Sequence, residues 1–180
     1  IATHNNITLK RIERNSYGKD FDRDTYTCEV RDALIDHEID LIAMAGFGTI
    51  LNKPIYDGFS NRILNTHPSL LPSFPGWHAV EEALEYGVKV TGCTVHIATE
   101  EVDAGPILAQ ESIPVLKDDT KETLHERIKT VERQLYVDTI NKIITTNGQI
   151  ERDSERFIEG TLQHIFFTRG KCLNVIDDKK

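Results

Sequence analysis

The stretch RILNTHPSLLP, residues 62–72, decides the fold of this chain. Its apolar beginning predicts a strand, and the prolines that follow predict a loop. Asn65 and His67 therefore stand where a strand ends, which is the edge at which open α/β sheets bind ligands. Because they are two residues apart, their side chains point to the same side of the strand. An amide and an imidazole in one crevice predict an acyl-transfer site.

Patterns of strands and helices extend from this stretch in both directions. Helices are predicted at residues 22–37, 53–59, 78–86 and 118–146, and strands at residues 1–9, 39–46, 62–64, 88–99 and 107–115. Alternation of this kind predicts a three-layer α/β domain with a largely parallel sheet, in which residues 88–115 form a long hairpin or a bent meander. Residues 39–46 are almost continuously apolar, which is typical of a strand buried on both faces. Residues 1–9 supply too little sheet to cover that strand, so we expect further sheet before Ile1.

Composition narrows the class of protein. The chain has 180 residues, 39% hydrophobic and 28% charged, enough for one globular domain with a real core. Its net charge of −8 weighs against a nucleic-acid-binding surface. We see neither a signal peptide nor an apolar run long enough to cross a bilayer, so no membrane partner is expected. Three cysteines without metal-binding spacing indicate a reducing cytoplasm, and the histidines lack paired ligand spacing, so no metal site is expected.

The chemistry of acyl transfer suggests a role for three residues. A tetrahedral oxyanion needs hydrogen-bond donors, which the Asn65 amide and a protonated His67 supply. A carboxylate beside the imidazole would stabilise its charged form, and Asp103, in the glycine- and proline-containing turn at residues 102–106, is the candidate. Each has a simpler explanation, since Asn and Asp are common turn residues and a single His is usually structural. His96 is expected near the site but not to be essential.

Three motifs carry a family resemblance: NTHPSLLPSF at residues 65–74, VTGCTVH at 90–96 and EVDAGPI at 101–107. In this order they resemble the phosphoribosylglycinamide formyltransferases of purine synthesis. The resemblance covers residues 1–150 and implies a Rossmann-like formyltransferase catalytic domain that is N-terminally incomplete, with residues 151–180 as a tail packed on the same domain. It implies transfer of a formyl group from 10-formyltetrahydrofolate, a co-substrate, to the amine of glycinamide ribonucleotide in de novo IMP synthesis. A monomer or homodimer is expected.

The resemblance also implies roles for individual residues. His67 matches the family's proton donor, Asp103 the carboxylate that keeps it charged, and Asn65 a catalytic asparagine that also contacts folate. The other implied folate-contacting residues are Arg23, Gly48, Thr49, Ile50 and Leu51, and the implied ribonucleotide-contacting residues are Lys129 and Glu132.

Two departures from the family pattern leave alternatives open. The folate loop commonly has Met-Arg where this chain has Gly48-Thr49, and the family's first strand and Gly-Ser-Asn phosphate loop would precede Ile1. One alternative is a formyltetrahydrofolate hydrolase, whose family usually has His-His-Ser at residues 67–69. Another is a truncated folate-binding module without catalysis. A methionyl-tRNA formyltransferase is disfavoured by the short, acidic chain. We also expect a cis peptide bond between Leu71 and Pro72, because tight turns in active-site loops use cis-proline.

Overall fold

The computed structural model describes residues 7–14 and 16–146, and the backbone of residues 173–177. The chain divides into two compact units, one formed by Ile1–Ile63 with Phe167–Lys180 and the other by Leu64–Phe166. The expected division into a catalytic domain at 1–150 and a tail at 151–180 stays a prediction, since residues 147–172 lie outside the described part.

The first unit contains a two-stranded parallel sheet and two helices. Its elements are β1 (Thr8–Ile12), a 3-10 turn (Gly18–Asp20), α1 (Arg23–Asp36), β2 (Ile42–Ala43), α2 (Lys53–Gly58) and β6 (Leu173–Asp177). Thr8 pairs with Leu173 and Ile12 with Asp177, in parallel. The sequence did not predict β6, because a short apolar piece in a polar tail does not show which strand it will join.

Helix α1 forms where its sequence predicted it. The Asp22 carboxylate accepts the N–H of Thr25 at 3.0 Å, so it caps the helix. Tyr26, Val30 and Leu34, at four-residue intervals, are buried, and the helix packs against α2. The predicted helix that begins near Pro54 is also confirmed, as Lys53–Gly58.

The apolar run at residues 39–46 differs from its prediction. Only Ile42–Ala43 is strand, and Ala43, Ala45 and Gly46 are exposed, so the prediction of burial on both faces is wrong for this run. The Ile42 N–H donates to the Arg62 carbonyl at 2.8 Å on one side. In the described part of the chain β2 is an edge strand, so one side of it has no neighbouring strand to cover it. An apolar cavity of about 160 Å³ lies beside it.

The second unit contains most of an antiparallel sheet with helices packed on it. Its elements are β3 (Ile63–His67, which begins at the last residue of the first unit), α3 (Ala79–Tyr86), β4 (Val90–Ile97), β5 (Ile107–Pro114) and α4 (Lys121–Thr145). The four-stranded sheet has the order β2-β3-β4-β5, and both β3–β4 and β4–β5 are antiparallel. The predicted hairpin is therefore confirmed, and so is the α/β class, with more antiparallel pairing than the sequence indicated.

A small core holds β4 against α4. Val80, Cys93, Ile113, Leu124 and Ile128 are buried together, from two helices and two strands. Helix α4 begins at a capping box, in which the hydroxyls of the N-cap threonine and of the threonine three residues later each accept a hydrogen bond from the other's backbone N–H. This packing gives β4 a fixed position, and β4 carries half of the candidate site.

Candidate active site

The pairing of β3 with β4 brings four polar side chains onto one face of the sheet. Asn65 lies opposite His96, and His67 lies opposite Thr94. Directly opposed residues in an antiparallel pair point to the same face, and so do residues two apart on one strand. Asn65 and His67 therefore lie on one face, as predicted, and Thr94 and His96 of β4 lie on the same face.

His67 and Asp103 form a buried pair. Nδ1 of His67 lies 3.2 Å from Oδ2 of Asp103, and the two side chains are 5% and 7% exposed. The Gly76 N–H also donates to Asp103 Oδ2, at 2.8 Å. A buried carboxylate needs such partners to offset its lost hydration. The contact that the sequence predicted across 36 residues is therefore present.

The turn that carries Asp103 has tight backbone geometry. Asp103 itself has a positive φ of 57°, a left-handed conformation that Asp tolerates better than most residues. Two residues later, a Cβ on Gly105 would lie 1.8 Å from the Ile97 carbonyl oxygen. Only glycine allows this approach, so the turn is pressed against the end of β4 and aims the carboxylate at the histidines.

The second ring nitrogen of His67 meets a backbone carbonyl. Nε2 lies 2.7 Å from the carbonyl oxygen of Phe74, a residue with a positive φ of 53°. A carbonyl and a carboxylate can only accept hydrogen bonds, so the doubly protonated imidazolium satisfies both neighbours at once. The geometry therefore suits a charged His67.

His96 also lies in the site, and its charge state differs from that of His67. Burial lowers its pKa from the usual value, although the backbone of Ile97 and the carboxylate of Asp103 oppose this shift. The Nδ1–H donates to the Ile97 carbonyl at 3.1 Å, and Nε2 lies 3.4 Å from Asn65 Nδ2. A neutral ring with this tautomer accepts one N–H of the Asn65 amide through Nε2, which orients that amide.

The loop after β3 is tied to β4 by a threonine. The Thr94 hydroxyl donates to the Ser69 carbonyl at 2.7 Å and accepts from the Leu71 N–H at 3.1 Å. Gln110 Nε2 donates to the Leu71 carbonyl at 2.9 Å and reaches Thr94 at 3.0 Å. The Leu71–Pro72 peptide bond is cis, as predicted. The sequence did not identify Ser69 or Gln110 as site residues. Thr94 lies two residues before His96 on β4, so the two-residue repeat of a strand places both on one face.

The residues expected to contact folate, other than Asn65, lie in the first unit. Thr49 and Leu51 are buried, Gly48 and Ile50 are half-buried, and Arg23 is exposed at the first position of α1. The Thr49 hydroxyl accepts a hydrogen bond from the Arg14 guanidinium at 2.9 Å. The loop is thus held to the segment that follows β1.

Lys129 and Glu132 lie one turn apart on α4 of the second unit. Lys129 Nζ is 2.9 Å from the Glu126 carboxylate, and Glu132 is half-buried. Burial, with help from Glu132, raises the pKa of the Cys93 thiol to about 11. Cys93 is therefore a protonated core residue on β4.

Metal-binding groups and membrane-spanning helices were searched for in the described part of the chain. Within residues 7–14 and 16–146, no group of three or more His, Cys, Asp or Glu side chains is arranged to hold a metal ion. Over the same part of the chain, no helix combines the length and the apolar character needed to span a bilayer.

The fold is α/β, and the site combines an amide, two histidines and a carboxylate at the end of a strand. Together these features define a class of protein suited to acyl-group transfer. Residues 2–140 match the family described as formyl transferase. The chain belongs to this family.

Particular relatives narrow the similarity. A phosphoribosylglycinamide formyltransferase from Mycobacterium tuberculosis (strain H37Rv) is 51% identical over 123 residues, which are 68% of this chain and 57% of that protein. The crystal structure of glycinamide ribonucleotide transformylase 1 from Symbiobacterium toebii has a TM-score of 0.67 and 40% identity, over 79% of this chain and 63% of that one. The crystal structure of a formyltetrahydrofolate deformylase from Pseudomonas syringae pv. tomato has a TM-score of 0.68 and 26% identity, over 81% of this chain and 46% of that one. The chain spans between about half and two thirds of the length of these relatives.

Proposed function

We propose that the protein transfers the formyl group of 10-formyltetrahydrofolate to the amine of glycinamide ribonucleotide, in the de novo synthesis of IMP. The observation that supports it best is the buried pair of His67 and Asp103, with Asn65 on the same face of the sheet. A buried imidazolium–carboxylate pair beside an amide is suited to a reaction in which negative charge develops on an oxygen and a proton changes place.

In the proposed reaction, the substrate amine attacks the formyl carbon, and the carbonyl oxygen becomes an oxyanion. The second N–H of the Asn65 amide and the positive charge of the His67 imidazolium stabilise that oxygen, while Asp103 stabilises the imidazolium. The bond from the formyl carbon to N10 of the folate then breaks. The amine loses one proton and N10 gains one, so the products are the formylated ribonucleotide and tetrahydrofolate. The neutral His96 contributes by orienting the Asn65 amide, since its Nε2 accepts one of the two N–H groups.

The residues proposed to hold the two substrates are those that the family resemblance implies. Arg23 and the loop Gly48, Thr49, Ile50 and Leu51, with Asn65, would hold the folate, and Lys129 and Glu132 would hold the ribonucleotide. The resemblance supports these assignments. A carboxylate and an ammonium one helical turn apart are also suited to hydroxyl and anionic groups of one ligand. We further propose a cytoplasmic protein, monomeric or homodimeric, without a nucleic-acid, membrane or metal partner.

A second candidate is hydrolysis of formyltetrahydrofolate, in which water replaces the amine. The similarity to the Pseudomonas syringae deformylase, at 26% identity, favours its consideration. The sequence His67-Pro68-Ser69 favours the transferase, because the hydrolase family usually has a second histidine in place of Pro68.

One assay separates these functions. The full-length protein is incubated with 10-formyltetrahydrofolate, with and without glycinamide ribonucleotide, and both formate and the formylated ribonucleotide are measured. The transferase forms the ribonucleotide product and releases little formate without the amine. Formate release that does not depend on the amine would establish the hydrolase instead. Folate binding by calorimetry without either product would establish a binding module.

A further inference from the structure

The His67 ring is held between two groups of different kinds. Nδ1 faces the Asp103 carboxylate at 3.2 Å, and Nε2 faces the Phe74 carbonyl at 2.7 Å. An amide carbonyl accepts hydrogen bonds and cannot donate one, so the Nε2 proton stays on the ring as long as this contact is kept. The Asp103 carboxylate is likewise an acceptor only, so the two neighbours together hold a proton on each ring nitrogen.

The Phe74 carbonyl needs support to keep this position. Phe74 has a left-handed backbone, which is unfavourable for a residue with a Cβ and persists only where surrounding contacts enforce it. Ser69 provides such a contact. Its hydroxyl donates to the Ser73 carbonyl at 2.5 Å and lies 3.4 Å from the Phe74 carbonyl oxygen.

Ser69 is itself held in place from β4. It has no exposed surface, and its own carbonyl accepts the Thr94 hydroxyl at 2.7 Å. Because Thr94 pairs with His67 across β3 and β4, the loop and the imidazole are anchored at the same level of the sheet. A buried serine hydroxyl aimed at two successive peptide carbonyls indicates that it sets their direction.

We propose that Ser69 is a positioning residue for the formyl transfer. By donating to the Ser73 carbonyl, its hydroxyl fixes the loop that presents the Phe74 carbonyl to His67 Nε2, which keeps that nitrogen protonated while Nδ1 faces Asp103. The role in turnover rests on the proposed function, whereas the protonation of the ring does not. Asp103 and His96 are the titratable groups that neighbour His67 in the described part of the chain, and neither contacts Nε2.

The ring is tested directly by nitrogen-15 NMR of the full chain labelled at histidine, recorded across a pH series. In the wild-type protein we expect both ring nitrogens of His67 to carry protons, with the Nε2 proton bonded to the Phe74 carbonyl. Ser69→Ala is expected to weaken that contact, so that Nε2 loses its proton at a lower pH than in the wild type. An Nε2 without a proton in the wild type would overturn the assigned contact with Phe74. Unchanged ring signals in Ser69→Ala would overturn the role of the serine.

Two further variants keep the test decisive. Ser73→Ala removes an exposed hydroxyl from the same loop and is expected to leave the His67 signals unchanged. Ser69→Cys nearly preserves the side-chain volume and replaces the hydroxyl with a weak donor. If Ser69→Ala does not unfold cooperatively, and so is not properly folded, the same NMR measurement is made on Ser69→Cys.

Kinetics then connect the ring to turnover. We expect Ser69→Ala to lower kcat about tenfold, with both KM values changed less than twofold, because the serine acts on the proton-transferring group and not on substrate binding. A rise in KM at constant kcat would contradict this role. If the wild-type protein forms no formylated product, the proposed function fails, and the NMR experiment still decides the place of Ser69.

Discussion

Asp103 joins the two histidines of the site: its Oδ2 lies 3.2 Å from Nδ1 of His67, and its Oδ1 lies 3.6 Å from Nε2 of His96. One carboxylate thus faces a histidine suited to carry charge and another that burial keeps neutral. Two imidazoles with different charge states allow one to donate a proton while the other orients an amide.

The first prediction concerns the charged pair. His67→Ala and Asp103→Ala are each expected to lower turnover by about 10²–10⁴-fold, since each removes a device for charge stabilisation or proton transfer. Steady-state formation of the formylated ribonucleotide by the full-length protein measures the effect. Asp57→Ala, which breaks an exposed ion pair with Lys53, is the matched control and should keep wild-type turnover. Near-normal turnover in both site variants would refute the mechanism.

The second prediction concerns His96 as an orienting group. His96→Ala is expected to reduce kcat about tenfold, less than the loss from His67→Ala, because it frees the Asn65 amide without removing it. The double variant with Asn65→Ala should then be no slower than Asn65→Ala alone, since the histidine acts through the amide. Additive losses in this double-mutant cycle would contradict the proposed contact.

The third prediction concerns pH and stability. The pKa of His96 is lowered by burial, so below about pH 6.5 the unfolded chain binds a proton that the folded chain does not. The contribution of His96 to the free energy of unfolding is therefore constant above that pH and becomes less favourable as the pH falls further. His125, whose pKa is also lowered mainly by burial, acts in the same direction.

Urea unfolding between pH 5 and 8 measures this dependence. His96→Gln is expected to flatten the fall of stability below pH 6.5, and the exposed His78→Gln is the control. An equally steep fall in His96→Gln would show that other groups cause it.

The fourth prediction concerns the turn that carries Asp103. Gly105→Ala would place a Cβ 1.8 Å from the Ile97 carbonyl oxygen, so the turn must shift away from β4. We expect a loss of stability of about 1–3 kcal/mol, together with a lower kcat, because the carboxylate moves with the turn. Gly58→Ala meets only the flexible Arg31 side chain, at 3.3 Å, and is the control. Thermal melts and turnover of the two variants distinguish a local clash from a general effect of alanine.

The fifth prediction concerns thiol reactivity. Burial raises the pKa of Cys93 to about 11, so almost none of it is thiolate at pH 8. Mass-spectrometric mapping after brief alkylation should therefore find Cys28, which is half-buried, modified well before Cys93. In concentrated urea the two should react alike. Rapid modification of Cys93 in the folded protein would show that the core beside α4 opens readily.

Local signals determined a large part of the fold. The Asp22 cap, the helices at 23–36 and 121–145, and the cis bond before Pro72 follow from nearby residues, because caps, helical periodicity and X-Pro geometry depend on a few adjacent positions. The placement of Asn65 and His67 on one side of a strand is equally local, since it requires only the two-residue repeat. The association of these residues with Asp103 came from chemistry and from family resemblance.

Tertiary structure alone decided the remaining features. The pairing of β1 with β6, the exposure of Ala43, Ala45 and Gly46, and the contact between Asn65 and His96 depend on which strands become neighbours, which no local pattern specifies. The contact between His67 and the Phe74 carbonyl likewise requires a loop held from β4. By itself, then, the sequence determined which groups could do the chemistry and on which strand face two of them lie. Only long-range packing decided which ring nitrogen faces the carboxylate and which histidine stays neutral, because burial and hydrogen-bond partners exist only in the folded chain.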